Sequence, residues 1–245
     1  MTARFLDGVP EDYVLARFGA AGGNEFESGK FASPESSAFL AANAFGRFVG
    51  RPDLLPLPTG GAAVGTPLRV EIEYNARFPW SGGTHPWLDA AIFTSTHLIG
   101  VESKRYEPFR DKKTARFSEA YERHAWGEQM ARYDAVRRAL VSGALSYRHL
   151  DAAQLIKHAY GLSTEGQRLA LRPALFYVYA EPAARGARPI AASDHARHRQ
   201  EIADFAGRVA GDEVAFSAAS YHEWLATASG AAIEHRGALL RQFDI

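Results

Sequence analysis

Two short apolar runs, LDAAIFT (residues 88–94) and LIGVESK (residues 98–104), stand only three residues apart in this chain. Strands that close can pair only as an antiparallel hairpin, because a parallel pair needs a crossover of a dozen residues or more. Each run carries an acid where an apolar strand would not need one: Asp89 near the start of the first and Glu102 near the end of the second. If Thr94 pairs with His97, or if Phe93 and Leu98 close a four-residue turn, Asp89 falls directly opposite Glu102. Lys104, two residues on, then shares that face. An odd loop would move the partner to Ser103 and put the acids on opposite faces.

Two carboxylates facing one another repel, and one of them takes up a proton unless a cation intervenes. Hard oxygen donors with water completing the shell suit Mg²⁺, with Mn²⁺ as a substitute. A lysine beside them can orient a metal-bound water or hold charge developing on a phosphate oxygen. Together these are the parts for metal-assisted hydrolysis of a phosphodiester.

Around the hairpin, the pattern alternates between helix and strand. In SPESSAFLAANAFGRFVG, Ser33 reads as an N-cap, Pro34 as the first helical residue and Glu35 as an acid in the first turn. LRVEIEYNARF alternates as a half-buried strand. RFSEAYERHAWGEQMARYDAVRRALVSG reads as one long amphipathic helix, and HLDAAQLIKHAYGL as a shorter one with Asp151 as N-cap. ALFYVYAEP has the continuous apolar character of a central strand. A helix from SDHARHRQEIADFAGRVAG, a strand from DEVAFSAAS and a helical C-terminus follow. The order predicts a mixed α/β protein forming a single domain over 1–245, with an irregular segment at 1–30 and a C-terminal elaboration at 183–245.

Composition narrows the chemistry. There is no cysteine, so disulfides, thiolate zinc sites and cysteine nucleophiles are excluded. The formal net charge is +0, so a polyanion would have to meet a local patch. The N-terminal residues have acids where a signal peptide needs an apolar run, and no stretch reaches the roughly 20 apolar residues that span a bilayer. A cytoplasmic protein without a membrane partner is the expectation. Nine histidines show neither HExxH spacing nor a finger pattern, although His195 and His198 fall on one helical face.

Asp89, twelve residues, then Glu102-Ser103-Lys104 resembles the PD-(D/E)xK nuclease superfamily, the restriction-endonuclease-like proteins. The resemblance implies an α/β core of helix, three-stranded antiparallel start, helix and strand, here with extra C-terminal helices. It implies Asp89 and Glu102 as metal ligands and Lys104 as the catalytic group that positions the attacking water or stabilises developing charge. Glu35 matches the further acid that the superfamily often carries on its first core helix, as a third ligand. Gln154 matches a glutamine that some branches carry on the helix after the ExK strand. The proline that often precedes the aspartate is displaced, with Pro86 three residues earlier. The wider layout is similar to a bacterial restriction-endonuclease-like group. The implied function is a Mg²⁺-dependent nuclease, acting most naturally on DNA in restriction or defence. A homodimer is compatible with cutting both strands.

Each assignment has a plainer rival. Asp111-Lys112-Lys113 repeats the acid-x-lysine spacing in a polar loop, so the tripeptide alone carries little. An acid in a first helical turn favours the helix dipole, which would account for Glu35; Glu25 and Glu27 are rival donors. Asp151-x-x-Gln154 reads as a capping box. Glu71 and Glu73 read as the solvent face of an outer strand, with a site role for Glu73 as the alternative. The basic run after Lys104 offers Arg110, Lys112 and Lys113 as nucleic-acid contacts, with Lys157 further on, or simply a solvated loop. The competing reading of the whole is a non-catalytic nucleic-acid-binding or structural domain on the same fold.

Overall fold

The computed structural model describes residues 4–21, 29, 31, 33, 35–58, 64–110 and 113–245. Its centre is a five-stranded sheet in sequential order. Strands β1 (Pro67–Asn75), β2 (Trp87–Thr94) and β3 (His97–Lys104) form an antiparallel meander; β4 (Arg172–Tyr179) and β5 (Ala215–Ser220) add in parallel. The hairpin closes with Phe93 opposite Leu98 and runs through Ala90 opposite Val101, the register the sequence predicts.

Helices cover both faces. Over one face lie α1 (Glu11–Ala20) and α2 (Ser37–Gly46), with α6 (Tyr221–Ala226) and α7 (Ala232–Phe243). Phe39, Phe45 and Trp224 there pack on Val70, Ile92, Val101 and Phe176. Over the other face lie α3 (Ala131–Ser142), α4 (Ala152–Leu169) and α5 (Ala192–Val209), which carry the long crossovers into β4 and β5. Leu155, Leu162 and Phe205 there join Leu98, Leu175 and Tyr177. Parallel neighbours require such crossovers, and they bury β4 on both sides, as its unbroken apolar run demands.

Three expectations need correction. Within the segment read as irregular, Glu11–Ala20 is a helix that buries Val14 and Phe18. The helix expected from Ser33 starts instead after Ser36, whose side chain accepts from Phe39 N. Ser33 closes the preceding turn, its hydroxyl accepting from Glu35 N at 3.2 Å and its carbonyl from Ser36 N at 3.0 Å; Pro34 lies outside the described residues. Glu35 therefore precedes the helix rather than riding on it. The long helix expected over residues 116–143 is broken into a single turn, Ala120–Arg123, and α3. Gly127, at φ 84°, takes a conformation that a helix cannot hold. The start of α3 is fixed from far away: Asp212 Oδ2 accepts from Arg132 N at 2.8 Å and Tyr133 N at 2.9 Å. Asp151 caps α4 as expected, accepting from Gln154 N at 3.0 Å, but the helix runs on to Leu169.

Candidate active site

The β2–β3 ladder ends at Ala90 and Val101, so Asp89 and Glu102 are the next residue of each strand beyond its end. The strands part at this step. Ser103 N donates to Asp89 Oδ2 at 2.6 Å, so a side-chain carboxylate replaces a backbone acceptor of the ladder. On the other side, Ile72 pairs with Ala90 and Tyr74 with Leu88, which sets Glu73 opposite Asp89. Three acids thus form one row across β1, β2 and β3.

Glu73 has φ 49°, a left-handed backbone uncommon for a residue with a side chain. Its effect is visible on both strands. Ile72 and Ala90 belong to the α2 side of the core, whereas Tyr74 and Leu88 belong to the α4 side. The two strands therefore turn over together at Glu73 and Asp89. Arg17 of α1 holds the turn from outside, donating through Nε to Ile72 O at 2.9 Å and through a terminal nitrogen to Glu73 O at 2.5 Å.

Leu98, Gly100, Glu102 and Lys104 alternate onto the face beneath α4. Gly100 lets the helix come close: a Cβ there would stand 2.7 Å from methyls of both Leu162 and Leu88. That approach brings His158 of α4 to Glu102, with Nε2 at 2.8 Å from Oε2. Lys104 Nζ pairs with Glu102 Oε1. Glu102 is only 2% exposed, so both oxygens face cationic or imidazole nitrogen in a nearly dry site. Glu102 Oε1 and His158 Nε2 meet these partners off the hydrogen-bond direction, and His158 Nδ1 has no hydrogen-bond partner among the described residues.

The electrostatics split the carboxylates. Burial, and then the charge of Glu102, push Asp89 well above the usual carboxylate range. Burial pushes Glu102 the same way, but Lys104 and His158 outweigh it and hold Glu102 at about 2. Burial acts against the Lys104 charge, yet Glu102, Glu107 and Asp89 together hold its pKa above the ordinary value. Glu107, in the single turn Glu107–Arg110, accepts from Arg105 N at 3.0 Å and from the Ser37 hydroxyl. Burial is again opposed, here chiefly by Lys104, and Glu107 stays below its usual range.

The remaining sequence candidates are dispersed. Glu35 pairs with Arg185 at 2.9 Å on the surface. Glu25, Glu27 and Lys112 lie outside the described residues. Gln154 stands one turn before His158 on α4 and is half-buried, with its backbone N–H held by Asp151. Arg110 is exposed, Lys113 Nζ donates to Glu107 O at 2.7 Å, and Lys157 Nζ lies 5.3 Å from the centre of the Phe117 ring. Glu73, read from the alternation as a solvent-facing residue, is buried beside Asp89. His158 and Glu107 went unmarked in the sequence. The one local signal for His158 is its spacing of one helical turn from Gln154.

The donor set suits a hard cation: two facing carboxylates whose mutual repulsion a divalent ion would relieve, with no hydrogen bond to Asp89 Oδ1 among the described residues. No group of three or more His, Cys, Asp or Glu side chains among the described residues is arranged to hold an ion. An ion here would take its other ligands from water or substrate. No helix among the described residues is long and apolar enough to cross a membrane.

The model of the family described as Restriction Endonuclease associating with ARP matches residues 18–221. No curated protein and no solved structure matches the chain.

Proposed function

The chain belongs to that restriction endonuclease family, and from this premise we propose that it is a divalent-metal-dependent nuclease of the PD-(D/E)xK type, hydrolysing phosphodiester bonds of DNA. One observation carries the reading: Asp89 and Glu102, the first residues past the end of the β2–β3 ladder, lie close enough for the charge of one to act on the other, with Lys104 paired to Glu102.

Asp89 and Glu102 would hold Mg²⁺ or Mn²⁺. When bound, the ion would polarise the phosphate and lower the pKa of its water. Asp89 would have to be ionised to hold the cation, against the burial and the Glu102 charge that raise its pKa. Lys104, fixed as an ammonium by three acids, orients the attacking water and offsets charge gathering on the phosphate oxygens. His158 fixes the rotation of Glu102 from behind, as partners of metal-ligating groups do. Gln154, on the same helical face, is placed to meet the substrate or the water. Arg110, Lys112, Lys113 and Lys157 are the proposed backbone contacts.

A second reading has its own support. Both Glu102 oxygens are already faced by nitrogens of Lys104 and His158, and a buried ion cluster closed on itself in this way also suits a non-catalytic domain that binds nucleic acid. The two readings separate in one assay. Purified protein with supercoiled plasmid in Mn²⁺ should nick it; EDTA should abolish the nicking. Glu102→Gln and Lys104→Ala should each bind DNA without cutting it. Undiminished cutting by both variants, or no cutting by the wild type in Mg²⁺ or Mn²⁺, would overturn the nuclease assignment.

A further inference from the structure

We infer that the aromatic ledge beside α4 receives unpaired nucleobases, so that the substrate is nucleic acid with single-stranded character next to the scissile phosphate. The inference rests on the nuclease reading for the identity of the polyanion. The connection between β1 and β2, residues 76–86, leaves the sheet just past Glu73 and returns two residues before Asp89. It is seated on α4: a Cβ on Gly161 would stand 2.7 Å from Ala76 O and 2.9 Å from Pro86 Cγ. Gly161 is three residues from His158, so the helix that reaches Glu102 also supports this loop.

The loop carries Phe78 and Trp80, stacked with ring centres 4.7 Å apart. Trp80 also meets Tyr121 edge-on at 6.1 Å, Trp126 at 5.6 Å and His124 at 5.5 Å, and Tyr121 meets Phe117 at 5.4 Å. Phe78, Tyr121 and Trp126 are core residues, whereas Trp80 and Phe117, at the margin of the cluster, are only partly buried. The margin is thus the part of the cluster that meets solvent, and cations attend it. Lys157 Nζ lies over Phe117; Arg116, next to Phe117, and Arg77, next to Phe78, are exposed.

Half-open rings flanked by cations are the chemistry that holds a single strand, with bases stacking on the rings and phosphates meeting the charges. A paired duplex offers neither ring its base faces, because neighbouring bases already cover them. The ledge therefore discriminates by pairing state, not by sequence.

The test measures binding of a fluorescent single-stranded oligonucleotide and of its blunt duplex to the full chain in EDTA, with cleavage of both followed separately in Mn²⁺. The single strand should bind about tenfold more tightly than the duplex, in line with the loss of one or two stacked bases. Trp80→Leu and Phe117→Leu should erase that preference, Trp80→Phe should keep it, and Lys157→Gln should flatten the salt dependence. Circular dichroism melts verify that each variant is folded, and Lys157→Gln provides a reading that does not disturb ring packing. Equal binding of strand and duplex, a preference unmoved by Trp80→Leu, or a salt dependence unmoved by Lys157→Gln, would overturn the ledge while Mn²⁺-dependent cutting still upheld the nuclease. A ring-dependent preference without any cutting would uphold the ledge and remove the nuclease.

Discussion

His158 and Glu102 meet across the seam between α4 and the sheet, imidazole Nε2 to carboxylate Oε2 at 2.8 Å. The contact joins two segments of chain that share no local pattern. It gives the buried carboxylate a second partner beside Lys104. Removing one partner of a buried charge is costly, so His158→Ala should lower urea stability by about 3 kcal/mol. Manganese affinity should fall by roughly tenfold or more, as happens when the support behind a ligand is lost. His158→Gln, which can still reach the oxygen, should recover part of the affinity. Titration of each variant with Mn²⁺, followed by calorimetry, would show whether Glu102 needs this support.

Asp89 and Glu102 should respond to pH in opposite senses. Folding raises the pKa of Asp89, so the stabilisation linked to its proton is present in acid and is lost as pH rises through the folded pKa. Folding lowers Glu102 to about 2; its contribution is present above the ordinary glutamate range and is lost as pH falls toward that value. Metal-free Asp89→Asn should therefore be more stable than wild type in neutral buffer, with the advantage shrinking in mild acid. Urea melts at a series of pH values would reveal the crossing trend.

The same proton should be released on metal binding. Mn²⁺ added to weakly buffered wild-type protein should acidify the solution, and Asp89→Asn should not show this release. Glu73, which also raises Asp89, should set where the effect falls. In Glu73→Gln the pH at which Mn²⁺ binding is half-maximal should move downward.

Gly161→Ala tests the seating of the β1–β2 connection on α4. Alanine favours a helix over glycine by about 1 kcal/mol, but here its Cβ would press on a backbone oxygen at 2.7 Å. Overpacking of this kind costs about 1–3 kcal/mol. The expected result is a net loss of stability in a thermal melt, against helix propensity.

Glu35→Ala should do little. Its surface pair with Arg185 is worth at most about 1 kcal/mol, and Mn²⁺ affinity should stay at the wild-type value. A tenfold fall would restore Glu35 to the metal site.

The legible part of this molecule is the part governed by short-range periodicity. The antiparallel hairpin followed from its short turn and a period of two, which left the register to the parity of the loop; the closure of Phe93 on Leu98 is the even case. The burial of β4 followed from its unbroken apolar run. The start of α3 did not, because Asp212, some 80 residues away in sequence, supplies its cap. Glu73 was legible only as the lesser alternative, for a related reason. Alternation assigns it to a solvent face, and only the left-handed turn held by Arg17 reverses that. His158 was hidden because helix rotation against a sheet is decided by packing across the whole interface.

Gly100 shows how much can hang on a position with no side chain. It lies in mid-strand under the methyls of Leu162 and Leu88, and it carries no chemistry of its own. A Cβ there would force those methyls to shift, and a bulky residue would press α4 outward and draw the imidazole away from its carboxylate. The spacing between layers at this one bare position is thus a tuning dimension for the whole centre, and a drifting lineage could switch the centre off there without altering any polar group.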